Sequence, residues 1–382
     1  MKLSTDRILT THVGSLPRSA PVCALLIAKE KGKPYDAEQF ERTMRDEVAA
    51  VVRRQVETGI DVVSDGETAK IGYSTYMQER LTGFGGHVDR KMALDLADYP
   101  ELRKKLAVIM GPQEFNRASC IGPVAVKTLK PLERDLENFK AALPGSGAAE
   151  GFLNAASPGV VSAFQLNHYY KTHAEYVGAV AAAMKPEYDA IVKAGFLLQV
   201  DCPDLAMARH TGFQDLSEKD FIARTEENVA ALNAALADIP ADKVRIHICW
   251  GNYEGPHDFD IDLAKVLPSI LKVKAQAIAF EAANPRHDHE WAVWKAAKLP
   301  SDKVLIPGVL DTCSNYVEHP ELVAQRLERY AAIVGRERVL AGTDCGFGTF
   351  AGYGKVDPAV AYKKLKAMVD GAALASKRLW KR

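Results

Sequence analysis

Short, almost wholly apolar runs alternate along the chain with long stretches in which apolar residues recur every three or four positions. This alternation predicts repeated strand–helix units around a parallel sheet. The runs at 8–13, 60–64, 121–126, 197–200, 244–248, 277–280, 304–306 and 339–341 are expected to be strands. They lack a polar face, as strands covered by helices on one side and by a barrel interior on the other do. Amphipathic stretches at 36–58, 174–194, 217–237, 318–334 and 358–373 are expected to be helices. Ser217 ahead of Glu218 and Asp220, and Pro358 at the head of the last stretch, are helix-start signals. The pattern reads as an α/β (β/α)8 TIM barrel forming one domain over residues 1–382. A doubly wound open sheet loses on strand count and on the lack of a Gly-rich phosphate loop after the first strand. Two connections are long, 66–119 after the second strand and 127–173 after the third, the latter holding the turn-rich LPGSGAAEG and ASPG. Insertions after barrel strands overlie the active face, so both are expected to enclose substrate.

Composition narrows the function classes. Lysines plus arginines and aspartates plus glutamates both number 49, so no net field favours nucleic acid or an anionic membrane surface. The N-terminal MKLSTDRILTTHVGS has no apolar signal core, and no apolar run reaches the length of a membrane span; a cytoplasmic enzyme of small-molecule chemistry is expected. The six cysteines, at 23, 120, 202, 249, 313 and 345, are too few and too scattered for a disulfide framework. They are core residues, ligands or nucleophiles.

His247 and Cys249, in VRIHICWGNYEG, stand two apart at the end of the fifth run and project to one face of a strand. Such an H-x-C pair supplies half of a zinc tetrahedron, although a core cysteine beside an incidental histidine looks the same in isolation. Glu281 follows AIAF and Cys345 follows VLAGTD, each at the carboxyl end of a later strand, and in a barrel those ends converge on one mouth. A carboxylate after a buried strand is costly without a cation. Two thiolates, a carboxylate and an imidazole around Zn2+ make an electron-rich site, poorly suited to generating hydroxide and well suited to activating a thiol for S-alkylation.

Seven motifs together carry a family resemblance: TTHVGSLPR, SDGE, IGPVAV, QVDCPDLA, HICWG, AFEAANPR and GTDCGFG, spread over nearly the whole sequence. The chain resembles the C-terminal catalytic barrel of cobalamin-independent methionine synthase and, more closely, the stand-alone single-barrel members of that family. The resemblance implies that His247, Cys249, Glu281 and Cys345 are zinc ligands and that Ser15, Glu67 and Asp201 hold the amino-acid part of homocysteine. Two carboxylates suit an α-ammonium group, and backbone donors near Gly14 and Ser15 suit a carboxylate. The bland alternatives are a loop acid for Glu67 and a turn cap for Asp201. His12 either donates to the acceptor or fills a polar niche. Arg18 either contacts an anionic substrate group or makes a salt bridge.

The sequence also departs from the family pattern. The full-length synthases have a duplicated N-terminal barrel that helps to bind polyglutamylated folate, and nothing here corresponds to it. Their seventh strand carries a histidine implicated in protonating the folate nitrogen; GVLDTCSNYVEHP has Cys313 in its place, with Asp311 retained and His319 six residues on. Loss of that acid penalises a tertiary-amine leaving group. Asp311 is left to orient donor or acceptor, and Cys313 is a reactive thiol or a small buried filler. The expected activity is therefore zinc-dependent methyl transfer to homocysteine from methyltetrahydrofolate, a methyl-corrinoid protein or another small donor. Alternatives are alkylation of another thiol, as in epoxyalkane:coenzyme M transferase, and a non-catalytic barrel that binds zinc or a thiol. The sulfonate of coenzyme M would meet Glu67 and Asp201 unfavourably, which favours an amino-acid thiol.

Overall fold

A computed structural model describes residues 1–88, 91–110 and 117–381. Among these, parallel strands form a curled sheet with helices packed outside it. Numbered in chain order, the strands are β1 (Leu9–Thr10), β2 (Val62–Val63), β3 (Phe84–Gly85), β4 (Ser119–Cys120), β5 (Glu150–Ala156), β6 (Leu197–Asp201), β7 (Val244–Ile248), β8 (Ala277–Phe280), β9 (Val304–Pro307) and β10 (Leu340–Ala341). Strands β2, β5, β6, β7, β8 and β9 form one parallel ladder in that order, and β1 pairs in parallel with β10. Parallel bridges Leu305–Val339 and Gly308–Gly342 join β9 to β10. Across the other gap, Asp61 N donates to the Thr10 carbonyl at 3.1 Å, and Thr11 Oγ1 to the Val62 carbonyl at 3.0 Å.

The two-residue period of the strands sorts their inward side chains into levels. Leu9, Val62, Phe152, Leu197, Ala277, Ala279, Val304, Ile306 and Leu340 form an apolar cluster. Beyond Phe152 and Leu197, the same faces of β5 and β6 turn polar at Asn154, Gln199 and Asp201, while β7 contributes Arg245 and His247. Register sets Asn154 opposite Gln199, Gln199 opposite Arg245, and Asp201 opposite His247. Arg245 is fully buried; it donates to the His12 carbonyl at 2.7 Å and lies 4.1 Å from the Phe152 ring centre, and burial drops its pKa to about 9. Its charge stands between the apolar cluster and the chemistry at the strand ends.

The main outer helices form where the periodicity places them: Ala37–Thr58, His173–Lys193, Glu218–Ala235, Pro320–Val334 and Pro358–Leu379. Ser217 accepts from Asp220 N, Pro358 opens the last helix, and Thr172 with Glu175 closes a reciprocal capping box. No helix among the described residues is long and apolar enough to cross a membrane.

The third strand of the parallel sheet lies elsewhere than the sequence pattern suggests. It is Glu150–Ala156, in the segment read as loop, whereas 121–126 is surface chain beyond β4, with Ile121 57% and Val126 40% exposed. β5 escapes the apolar pattern because its positions are small or polar for local reasons. A Cβ at Gly151 would lie 3.1 Å from the Phe139 ring, and Asn154 serves the site. The long connection is consequently a single excursion between β2 and β5, containing the antiparallel pair β3–β4 and helices Leu94–Ala97, Pro100–Met110 and Lys130–Ala142. Buried Arg80 fixes it to the body of the protein, 2.7 Å from Asp135 and 3.0 Å from Glu187 of the His173–Lys193 helix. After β5 the chain passes directly into helices Pro158–Phe164 and His173–Lys193.

Candidate active site and metal centre

The carboxyl ends of the strands open into a cavity of about 650 Å³, within the size range of small-molecule sites. Ser15, Glu67, Asp201, His247, Cys249 and Cys345 line its floor. Tyr73, Phe164, Met207, Tyr253, Phe350 and Tyr353 supply apolar walls, and the excursion closes over it with Met92, Leu96, Arg103 and Leu106.

His247 ends the inward face of β7 and Cys249 follows it two residues on. Cys345 lies in the turn after β10. The three side chains are buried, and their donor atoms lie within 4.8 Å of one another. The Cys249 and Cys345 sulfurs are 3.2 Å apart. Burial, with Cys249 and Glu281 adjacent, pushes the Cys345 thiol well above its ordinary range. Two thiols packed this closely ionise together only around a cation, to which a neutral imidazole adds a further donor. The sulfur separation needs only a small adjustment to reach the edge of about 3.8 Å expected in tetrahedral zinc. The donor set therefore fits a thiophilic divalent ion.

Glu281, the fourth expected ligand, is buried beside this trio but outside its common 4.8 Å radius. One oxygen accepts from Trp250 N at 2.7 Å; the other accepts from Asn284 Nδ2 and Arg286 Nη2, both at 2.8 Å. Burial opposes its charge, but Arg286, His287 and the Trp250 N–H outweigh burial and hold its pKa below the usual carboxylate value. Asp344, next to Cys345, is a positioning residue that sequence reasoning missed. It accepts from Ala282 N and Ala283 N at 2.8 Å and from Asn284 N at 2.9 Å, fixing the turn that presents Glu281. Its place beside a ligand in GTDCGFG was the available signal.

The facing side of the cavity is assembled from the ends of β1, β2, β5 and β6. Asp201 Oδ2 accepts from Asn154 Nδ2 at 2.9 Å, and Oδ1 from Gln199 Nε2 at 2.9 Å. Asn154 also donates to the Val13 carbonyl and abuts Gly14, where an added Cβ would lie 2.2 Å from its Oδ1. Asn154 could not be found without the true third strand. Glu67 has φ of 53°, an uncommon left-handed conformation outside glycine. Burial, with Asp201 near, raises its pKa to about 7 although Lys70 opposes this, and its Oε2 is buried without a hydrogen-bond partner. Ser15 Oγ accepts from Gly348 N at 3.4 Å, and a Cβ on Gly346 would lie 1.9 Å from that oxygen.

The remaining expected residues lie around this centre. His12 is neutral at ordinary pH, since burial brings its pKa to about 4; one ring nitrogen meets Gln55 Oε1 at 2.7 Å and the other accepts from Gly14 N at 3.1 Å. It occupies a polar niche beneath the Gly14 turn and does not line the cavity. Arg18 donates to the carbonyls of Glu67 and Gly348, holding the backbone of the strained carboxylate. Asp311 accepts from Cys313 N at 2.9 Å and from the Ser314 hydroxyl, organising a turn outside the cavity lining. Cys313 is half-buried, 3.1 Å from Lys355 Nζ, and burial pushes its thiol up to about 11. His319 caps the Pro320–Val334 helix by accepting from Glu321 N.

The family described as cobalamin-independent synthase, catalytic domain, matches residues 8–111 and 161–374. The chain belongs to this family. It is an enzyme of the methyltransferase class that the family represents. Methionine synthase of Sulfolobus acidocaldarius is 26% identical over 377 residues, covering 98% of this chain and 94% of the relative. Methionine synthase of Thermococcus kodakarensis is 24% identical over 371 residues, covering 97% and 94%. A B12-independent methionine synthase from Shewanella, solved in complex with selenomethionine, shares the fold with a TM-score of 0.74 at 20% identity, covering 98% of this chain and all of the other.

Proposed function

We propose that this chain is a single (β/α)8 barrel domain, residues 1–382, that transfers a methyl group to the sulfur of homocysteine, giving methionine. The observation that carries the reading is the meeting of a His–Cys–Cys trio with two buried carboxylates, Glu67 and Asp201, in one cavity. His247, Cys249 and Cys345 would hold a zinc ion, with Glu281 as the fourth ligand after a shift of its carboxylate. When bound, the ion lowers the pKa of a thiol while leaving it nucleophilic.

The protein's own side chains supply orientation. Glu67 and Asp201 face the substrate ammonium, and Asn154 and Gln199 keep Asp201 from turning away. Ser15 and the backbone around Gly14 offer hydrogen bonds to the α-carboxylate. The aromatic walls hold the donor and exclude water, and placing methyl carbon in line with sulfur accounts for most of the acceleration. A cavity of this volume beneath the excursion suits a small-molecule donor with an apolar body better than a corrinoid held by another protein. Neither Asp311 nor His12 lines the cavity, so leaving-group protonation is assigned to neither.

The test is an assay of zinc-loaded protein with homocysteine or coenzyme M as acceptor, against methyltetrahydrofolate, methylcobalamin or a short epoxide as donor. Methionine formed from homocysteine and a methyl donor supports the reading. Turnover of coenzyme M with the epoxide, and none of homocysteine, contradicts it.

A further inference from the structure

Behind the Tyr253 wall lies a second cluster, free of sulfur. His210, from the turn after β6, His257, from the connection after β7, and Asp260 bring one donor atom each within 4.8 Å of the others. Asp260 Oδ1 is 3.1 Å from His257 Nδ1 and 3.4 Å from His210 Nδ1.

The opposite ring nitrogens both meet Tyr253. His257 Nε2 lies 3.1 Å from its carbonyl oxygen, while Nδ1 lies 3.1 and 3.2 Å from the two oxygens of Asp260. The Tyr253 hydroxyl donates to Asp95, which leaves its oxygen to accept from His210 Nε2, 3.3 Å away. Both rings thus turn Nδ1 toward the Asp260 carboxylate. His210 Nδ1 has no hydrogen-bond partner among the described residues, although the side chain is 1% exposed. The two ring centres are 5.9 Å apart.

We propose that His210, His257 and Asp260 form a second divalent-cation site, of the two-imidazole, one-carboxylate type that takes zinc. Bonds of about 2.0–2.1 Å from a tetrahedral ion imply ligand–ligand edges of about 3.3–3.4 Å, and the two Nδ1–Oδ1 distances bracket that value. Imidazole ligands regularly donate their second N–H to a carbonyl or other oxygen, as Tyr253 receives both here. Arg286 and His287 each hold Asp260 Oδ2 at 3.2 Å, which fixes the carboxylate from its far side. The role is structural. Tyr253 lines the cavity, and Asp95, in the short helix of the excursion, accepts both its hydroxyl and His257 N at 3.2 Å. A cation at this point ties the loop after β7 to the excursion that covers the substrate.

Metal-free protein is reloaded with zinc or with cobalt(II), freed of excess metal by gel filtration and analysed for metal per chain. Wild type is expected to hold two equivalents. A Cys249→Ser/Cys345→Ser variant leaves the second cluster untouched and is expected to retain one, its cobalt form showing weak visible bands without the near-ultraviolet thiolate band. His257→Ala is expected to lose one equivalent and keep the thiolate band. The proposal is overturned if wild type binds a single equivalent that carries the thiolate band, or if the folded cysteine variant, checked by circular dichroism, binds none. Failure of the sulfur site reads differently, as absence of the thiolate band in wild type.

Discussion

The cavity has two walls of different origin. The floor comes from strand ends, where ladder register places Asp201 and His247, and Ser15, Glu67, Cys249 and Cys345 follow their strands within five residues. The cover comes from the excursion between β2 and β5, where Leu96, Arg103 and Leu106 sit on short helices and Met92 on the loop before them. Rigid strand ends suit the chemistry at sulfur, which tolerates little displacement. A cover on loops suits choice of donor, because its contacts change without disturbing the sheet. Acceptor chemistry and donor choice should therefore separate in variants.

The largest effect is expected at the floor. Cys249→Ser or Cys345→Ser should remove metal from the sulfur-bearing site and lower kcat on the order of a thousandfold or more, about 4 kcal/mol in the barrier. Metal analysis and steady-state rates on the same preparation check this; a variant with wild-type turnover would remove the separation at its root. Glu67→Gln should lower kcat/KM for homocysteine about a hundredfold while affecting coenzyme M far less, since only the amino acid presents an ammonium group. Equal losses for both thiols would mean that the carboxylate serves the scaffold.

Glu67 also gives the separation a pH signature. Its folded pKa of about 7 lies above its unfolded value, so folding takes up a proton between the ordinary carboxylate range and pH 7. The group therefore favours the folded state least above pH 7, and that contribution falls as pH rises through this window. Binding runs the other way, because the ammonium needs the carboxylate. The kcat/KM for homocysteine should rise with pH through about 7, and Glu67→Gln should flatten that limb.

Smaller effects belong to the cover. Leu96→Ala should raise the KM for the methyl donor roughly tenfold or less, with the homocysteine KM unchanged, as expected from losing one apolar contact of about 1 kcal/mol. Paired KM measurements check this, and a matching rise for homocysteine would show that the two walls act as one. Smallest of all, Asp311→Asn should leave kcat within about threefold of wild type and lower the thermal midpoint, because its oxygens serve the Cys313–Ser314 turn.

The same contrast explains what the sequence made legible. Seven of the eight parallel strands overlap apolar runs because burial on both faces makes most of their residues apolar. The trio of His247, Cys249 and Cys345 was readable because a side chain at a strand end has a fixed direction. β5 was hidden, since Gly151 makes room for Phe139 and Asn154 faces Asp201; both are demands of packing partners distant in sequence. The apolar stretch 121–126 misled for the converse reason, being on the excursion surface. The second cluster was equally unreadable. His210, His257 and Asp260 belong to two separate connections and meet only because Tyr253 and Asp95 draw those connections together. His12 and Asp311 carry chemistry-bearing groups that backbone contacts occupy, and no spacing rule distinguishes that from a catalytic posting.

Cobalt(II) titration of metal-free protein, following the near-ultraviolet thiolate band and methionine formation from homocysteine in the same samples, tests the central claim most directly. The two signals should rise together and saturate at the same metal content. Full methionine formation before the thiolate band develops, or in protein that never shows it, would contradict the account.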